Sequence, residues 1–550
     1  MRRKLVEVVA VVAIATALLG YGIDRASVGT AYSDPIGKTR AQDESSFANS
    51  ALTMAHEGGW MTPRVLGRYL MQKPPLLLWL AGFALKIFGT SLWALRWPAL
   101  AAAVLATGVV FAWMRRERSL VVACAAAALL LSNPLWHIFA RLCYTDMLWT
   151  ASLVGAVAIL QANPRLDSSR SLAGFAACTA AGVMVKSVAG LLPLFILGLY
   201  WLLARPEDRP AFGRVAMVTA IIAVFAAPWH IYQLIAHRQW FWADYVQTQL
   251  LGFGFHAPIA TSPESQPVFY FKRLFLTDPA LCVLLLIALP FLIAALRDRS
   301  KTLPLLLALW LAVTSGALLL FGFRNLPYAL TVIPPACLIA AAYNPIFSAR
   351  YTKWALIALC VVFGIKSYAH AEPWGLSFGA VEPIPAVAPL RWYHDLGRPN
   401  ELIVANADDA FYSSTLSLPR VRYYLLDSGD VLRRFLPFYG YLGIMLSEDE
   451  FERLDRVTPQ YADRLKSWGL DSTEPIGTTI VVPSEETLIR LVKARPDVDY
   501  SVTREEQTML ESSGALHMHT VVPVTGGRAF LLSSIRSATP RPVSHLPARW

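Results

Sequence analysis

Asp43, Glu44 and Asp146 are carboxylates, Lys73, Arg141, Lys186 and Arg324 are cations, and Tyr328 is an aromatic four residues after Arg324. Lys73, Arg141, Asp146, Lys186, Arg324 and Tyr328 stand in or beside apolar stretches, where charge is costly and usually functional. Lysine binds a phosphate as a point charge and arginine as a two-pronged clamp. A carboxylate nearby can take the proton of an attacking hydroxyl. The set therefore suits group transfer from a phosphate ester whose lipid chain stays in the bilayer. Plainer roles exist for each residue. Asp43 could cap a helix over residues 45–56, Lys73 and Lys186 could snorkel to the interface, and Arg141 could pair with Asp146.

The elements that must position these residues are membrane helices. The chain has 550 residues, 55% hydrophobic and 16% charged, with a mean hydropathy of +0.45. Soluble chains carry about a quarter charged residues, which excludes a disordered, fibrous or water-soluble multidomain protein. After Arg2-Arg3-Lys4, an apolar run to about residue 23 reads as an uncleaved signal anchor. Further runs cover roughly 76–90, 97–114, 119–138, 147–161, 170–185, 188–204, 214–235, 279–296, 303–321, 328–344 and 353–369. The net charge of +11 would suit nucleic acid in a soluble chain. Here Arg and Lys lie mostly in short loops between apolar runs, where topology explains them, so no nucleic acid is expected. The six cysteines (Cys124, Cys143, Cys178, Cys282, Cys337 and Cys360) show no metal-ligand spacing.

Orientation follows from the loops. If 76–90 lies in the interface, the N-terminus and the loops 115–118, 163–170, 205–214, 297–301 and 350–353 face the cytoplasm with 16 Lys and Arg. If it spans, 13 of these move outside, against the positive-inside rule. Eleven spans plus one interfacial helix are therefore expected, with the tail outside the cytoplasm. The remaining polar residues then gather on the outer side: Asp43, Glu44 and Lys73 in the first outer loop, 24–96, Arg141 and Asp146 before the fourth span, Lys186 between the fifth and sixth, His256 in the loop 236–278, and Arg324 and Tyr328 before the tenth. Nucleotide sugars are absent there, so a lipid-linked sugar is the plausible donor.

Several motifs carry a family resemblance. Asp43-Glu44, then Gly59-Trp60-Met61-Thr62-Pro63, then Gln72-Lys73-Pro74-Pro75 resemble the first outer loop of the aminoarabinose transferase and protein O-mannosyltransferase superfamily of C-type (GT-C) glycosyltransferases. Arg141-Leu142-Cys143-Tyr144-Thr145-Asp146 resembles its second acidic motif. Val185-Lys186-Ser187 resembles its Lys-Gly step, with Ser in place of Gly, and Arg324-Asn325-Leu326-Pro327-Tyr328 its basic, Leu-Pro and aromatic turn. The resemblance covers 43 to about 335. It implies Asp43 as catalytic base, Asp146 near the same cavity, and Lys73, Lys186 and Arg324 on the donor phosphate with Tyr328 beside it. Glu44 would orient or assist, and Arg141 would support the phosphate site. The family commonly has Glu, a metal ligand, where Gln72 stands. A neutral amide is a poor ligand, so no metal site is assigned. A divalent cation stays open, with His256 as the remaining ligand or base.

From about residue 371 the composition changes. Pro373, Pro383, Pro385 and Pro389 mark a linker, followed by β-type runs at 402–404, 421–426, 479–482, 520–522 and 530–532 and helix-like stretches at 447–455 and 484–495. The expected architecture is an α-helical polytopic membrane protein, GT-C-like, in residues 1–370, with an extracytoplasmic α/β domain in 371–550. The expected activity is transfer of a sugar from a polyprenyl-phosphate donor to a lipid A-like lipid, a protein or a glycan at the outer face of a bacterial inner membrane. A sugar-polymer ligase with a lipid-diphosphate donor is the near alternative. A transporter is the distant one, because no inverted repeat is visible and the charges avoid the midplane.

Overall fold

The computed structural model describes residues 2–23, 42–65, 68–242, 245–246, 249–251, 254, 265–298, 301–322 and 324–348, together with 393, 396, 402–404, 421–426, 479–482, 485–524 and 528–533 of the tail. The apolar run at 353–369, the linker, His256 and the stretch 447–455 lie outside the described residues.

The membrane half begins with α1 (Arg2–Gly20) and α2 (Gln42–Glu57). A short hairpin, β1 (Arg64–Val65) with β2 (Arg68–Tyr69), leads to α3 (Leu76–Phe88). Then come α4 (Leu92–Glu117), α5 (Leu120–Ser132), α6 (Pro134–Phe139), α7 (Thr145–Ala162) and α8 (Ser169–Lys186). After them follow α9 (Leu192–Leu203), α10 (Phe212–Ala236), α11 (Arg238–Phe241), α12 (Gln266–Thr277), α13 (Pro279–Ala295), α14 (Thr302–Leu320) and α15 (Ile333–Tyr343).

Among the described residues, six helical stretches are long and apolar enough to cross a membrane, or seven if the α12–α13 pair, bent by 110°, is one span. Helix α3, expected at the interface, has 13 residues. It is about 20 Å long against a hydrocarbon core of about 30 Å. One face buries Leu77, Leu78, Ala81 and Leu85, while Phe83 and Phe88 stay exposed. Gly82 sits where a Cβ would press on the Ala51 carbonyl oxygen at 3.2 Å, so its lack of a side chain lets α3 lie close on α2. Large apolar side chains of α10 such as Phe225 and Ile235 are exposed, which fits a lipid-facing surface.

The apolar stretch Ser169–Leu203 is not one straight helix. Residues Ser187–Leu191 form a 3-10 turn in which Gly190 packs on the backbone of Gly182 and Val183 so tightly that no Cβ fits. The helical path is broken there by this local contact, next to Lys186.

The tail holds a six-stranded sheet. Its strands are β3 (Leu402–Val404), β4 (Val421–Leu426), β5 (Thr479–Val482), β6 (Asp499–Thr503), β7 (His519–Val524) and β8 (Arg528–Ser533). Their order is β5-β4-β3-β6-β8-β7. β3 pairs in parallel with β4 and β6, β4 in parallel with β5, and β8 is antiparallel to β6 and β7. Helices α16 (Glu485–Ala494) and α17 (Arg504–Ser512) bury Leu488, Leu491 and Leu510 with Tyr500, Val502 and Leu531 of the sheet. Strand β6 and helix α17 were not anticipated, although Thr503 and Glu506 form a capping box, a pattern visible in sequence.

Candidate functional site

The centre of the site follows from helix lengths. Helices α7 and α8 each have 18 residues and pack as a hairpin. The second residue of α7, Asp146, therefore comes level with the last residue of α8, Lys186. A helix N-terminus favours the carboxylate and a C-terminus the ammonium. Lys186 Nζ lies 2.8 Å from each oxygen of Asp146 and 3.2 Å from Thr145 Oγ1. Asp146 is 2% exposed and Lys186 9%. The ammonium also lies 4.6 Å from the Tyr328 ring centroid and 5.7 Å from that of Trp149, within cation–π range.

Lys186 opens onto a cleft with an internal volume of about 80 Å³. Lys73, Gln72 and Gln249 line one side, Ser187 and Tyr328 flank the ammonium, and Leu318 and Phe321 supply apolar wall. Lys73 Nζ donates to Gln249 Oε1 at 2.7 Å. The strand segment that delivers Lys73 is anchored upstream. Trp229 Nε1 donates to the Met61 carbonyl at 2.9 Å, Trp79 Nε1 to the Trp60 carbonyl at 2.6 Å, and Thr62 Oγ1 lies 2.9 Å from His237 Nε2.

Arg324 and Tyr328 sit on either side of the start of a 3-10 segment, Leu326–Val332. The Tyr270 hydroxyl holds that start from α12, 3.3 Å from both the amide and the carbonyl of Asn325. Asp146 and Arg324 both lie within electrostatic reach of this hydroxyl. Arg324 is not among the cleft-lining residues, but it belongs to the same corner of the bundle.

Glu44 and Arg141 make contacts of their own beside the turn that opens α7. Glu44 is fully buried and forms a two-pronged pair with Arg96, at 2.7 and 3.0 Å. It also accepts from the Cys143 amide at 3.0 Å, and Arg96 donates to the Ile23 carbonyl at 2.8 Å. This cluster fastens α2 and α4 to the turn that opens α7, which suits the orienting role expected of Glu44. Arg141 donates to the Leu18 and Leu19 carbonyls at 2.8 Å, satisfying the end of α1. Among the described residues the partner of Asp146 is Lys186, not Arg141. Glu44→Gln is expected to destabilise the fold by about 3–5 kcal/mol, since it leaves a buried guanidinium without its counter-charge. Thermal unfolding in nanodiscs measures this. A melting point unchanged from wild type would refute the clamp.

Asp43 is the second residue of α2, so the helix begins before the 45–56 stretch read from sequence. Its side chain falls outside the described part of the structure. Among the described residues no cluster of three or more His, Cys, Asp or Glu could hold a metal ion. Sequence reasoning missed Thr145, Trp149, Gln249 and Tyr245, whose hydroxyl lies 2.6 Å from Ser187 Oγ. Thr145 and Trp149 share a helix face at i, i+4 spacing, a legible signal. Gln249 and Tyr245 are brought in by tertiary contact and carry none.

The dolichyl-phosphate-mannose-protein mannosyltransferase family matches residues 72–232. The undecaprenyl phosphate-alpha-4-amino-4-deoxy-L-arabinose arabinosyl transferase of Edwardsiella ictaluri is 26% identical over 221 residues, 37% of this chain and 39% of that protein. Its counterpart in Yersinia pestis is 25% identical over 323 residues, 55% of this chain and 54% of that protein. The chain thus spans about two fifths to half the length of these curated relatives. The crystal structure of ArnT from Cupriavidus metallidurans in the apo state aligns over 95% of this chain and 97% of that one, with a TM-score of 0.66 at 17% identity. The same protein bound to undecaprenyl phosphate aligns equally well, at 16% identity. By fold the chain is similar to ArnT, and its residues 72–232 match the dolichyl-phosphate-mannose-protein mannosyltransferase family.

Proposed function

We propose that the chain transfers a sugar from a polyprenyl-phosphate donor to an envelope acceptor (a lipid, a protein or a glycan) at the extracytoplasmic face of a bacterial inner membrane. The carrying observation is the cleft itself. It pairs cations, Lys73 and Lys186, with an apolar wall including Leu318 and Phe321, as a charged headgroup on a greasy chain requires. The names of the similar transferases and the undecaprenyl phosphate bound in the related structure support a lipid-monophosphate donor.

In this reading the membrane domain, residues 1–370, crosses the bilayer eleven times with α3 at the interface. The domain 371–550 stands outside the cytoplasm in a supporting role. Asp43 takes the proton of the acceptor hydroxyl. The new bond from that oxygen to the anomeric carbon forms as the bond from carbon to phosphate oxygen breaks, with inversion. Lys73, Lys186 and Arg324 stabilise the departing lipid phosphate by charge set in place beforehand, and Tyr328 packs beside Lys186. Asp146 holds Lys186 in position.

A diphosphate-linked donor is the second reading, favoured only by the general architecture. Purified protein in nanodiscs, given polyprenyl-monophosphate and polyprenyl-diphosphate sugars in turn, is expected to release polyprenyl phosphate from the first alone. Turnover of the diphosphate donor only would overturn the proposal.

A further inference from the structure

Ser187 follows Lys186 with φ 59° and ψ −139°, a conformation that glycine adopts freely and serine does not. Such strain persists where the surroundings hold it in place and often marks function. The side chain is therefore what needs explaining. It lines the cleft beside Lys186, and its Oγ lies 2.6 Å from Tyr245 Oη. Tyr245 Oη lies 2.7 Å from His230 Nε2, and His230 Nδ1 lies 2.8 Å from the Ala226 carbonyl oxygen.

Counting protons sets the direction of this chain. A carbonyl oxygen only accepts, so His230 Nδ1 carries a hydrogen. A histidine in its neutral form, the prevalent one above pH 6.5 for an ordinary imidazole, then has a bare Nε2. That nitrogen accepts the single Tyr245 hydroxyl proton. Tyr245 Oη in turn accepts from Ser187, whose proton points away from the cleft. What Ser187 offers the cleft is a lone pair. An ionised phosphodiester has no proton to give it, whereas a sugar hydroxyl or ammonium does.

We propose that Ser187 reads the donor sugar: its Oγ accepts a hydrogen bond from a sugar hydroxyl or amine, with Tyr245 and His230 as the residues that orient it. The inference rests on the lipid-phosphate-sugar reading above. It divides the labour at the turn, with Lys186 on the phosphate and Ser187 on the sugar.

The test uses the full chain in nanodiscs and three probes: undecaprenyl phosphate alone, and the same lipid bearing 4-amino-4-deoxy-L-arabinose or mannose. S187A is expected to bind undecaprenyl phosphate within about twofold of wild type. It should bind whichever sugar-bearing lipid the wild type prefers about tenfold more weakly, the value of one hydrogen bond. S187G should show the same loss yet melt at a higher temperature than S187A, because glycine relieves the strained backbone. Y245F should weaken the sugar-bearing lipid without weakening the bare one. Wild-type affinity for the sugar-bearing lipid in S187A, or an equal loss for all three probes, would overturn the inference. So would a wild-type protein that binds no sugar-bearing lipid better than the bare one. Failure of the underlying reading looks different: the wild type then binds no undecaprenyl phosphate at all, and Lys186→Met changes nothing.

Discussion

Lys186→Met is expected to lower turnover of a polyprenyl-phosphate sugar by about 10²–10³-fold, the usual loss when one preorganised charge or donor leaves a developing anion. The same substitution leaves Asp146 buried without its counter-charge, which costs about 3–5 kcal/mol of stability. Loss of activity alone would therefore be ambiguous. The double variant Asp146→Asn, Lys186→Met resolves it. Asparagine keeps the shape of Asp146 but needs no counter-charge, so the melting temperature should recover most of the way while turnover stays low. Non-additivity of this kind is what a directly bonded pair shows. Recovery of turnover together with stability would reduce Lys186 to a structural role and remove it from the phosphate site. Lys186→Arg should not substitute fully. The planar guanidinium cannot reproduce the compact contact at 2.8 Å with both Asp146 oxygens and 3.2 Å with Thr145.

Asp43→Asn carries the second large effect. General-base catalysis contributes about 10²–10⁴-fold, so kcat should fall by that amount. Affinity for undecaprenyl phosphate should stay near wild type, because the cations proposed to hold the phosphate are untouched. The neighbouring Glu44 clamp on Arg96 also persists in this variant, so the start of α2 keeps its place and the fold its melting temperature. A Asp43→Asn protein with kcat within about twofold of wild type would end the assignment of Asp43 as base. A parallel loss of phosphate binding would instead make it part of the donor site.

The legibility of this protein is uneven for physical reasons. Apolar runs long enough to span announce themselves, because the bilayer demands that backbone groups be satisfied within each segment. Lys73, Asp146, Lys186 and Tyr328 were legible for the opposite reason, as charged or aromatic residues where charge is expensive. Glu44 and Arg141 share that expense and looked equally functional. Packing adds what pattern does not hold, the contacts of Glu44 with Arg96 and of Arg141 with the end of α1. Pattern reports that a buried charge needs a partner, and three-dimensional contact decides which one.

By itself, then, the sequence determined a helical membrane half, a mixed α/β tail, and a short roster of costly polar residues. Tertiary structure decided what those residues do together. The equal lengths of α7 and α8 bring Asp146 to Lys186, and the close contact of Gly182 with Gly190 folds the turn that sets Ser187 beside them. Tyr245 and Gln249 enter from distant segments. These are relations between residues up to 176 positions apart, and such pairings arise from burying surfaces against one another, which no local pattern of residue types encodes.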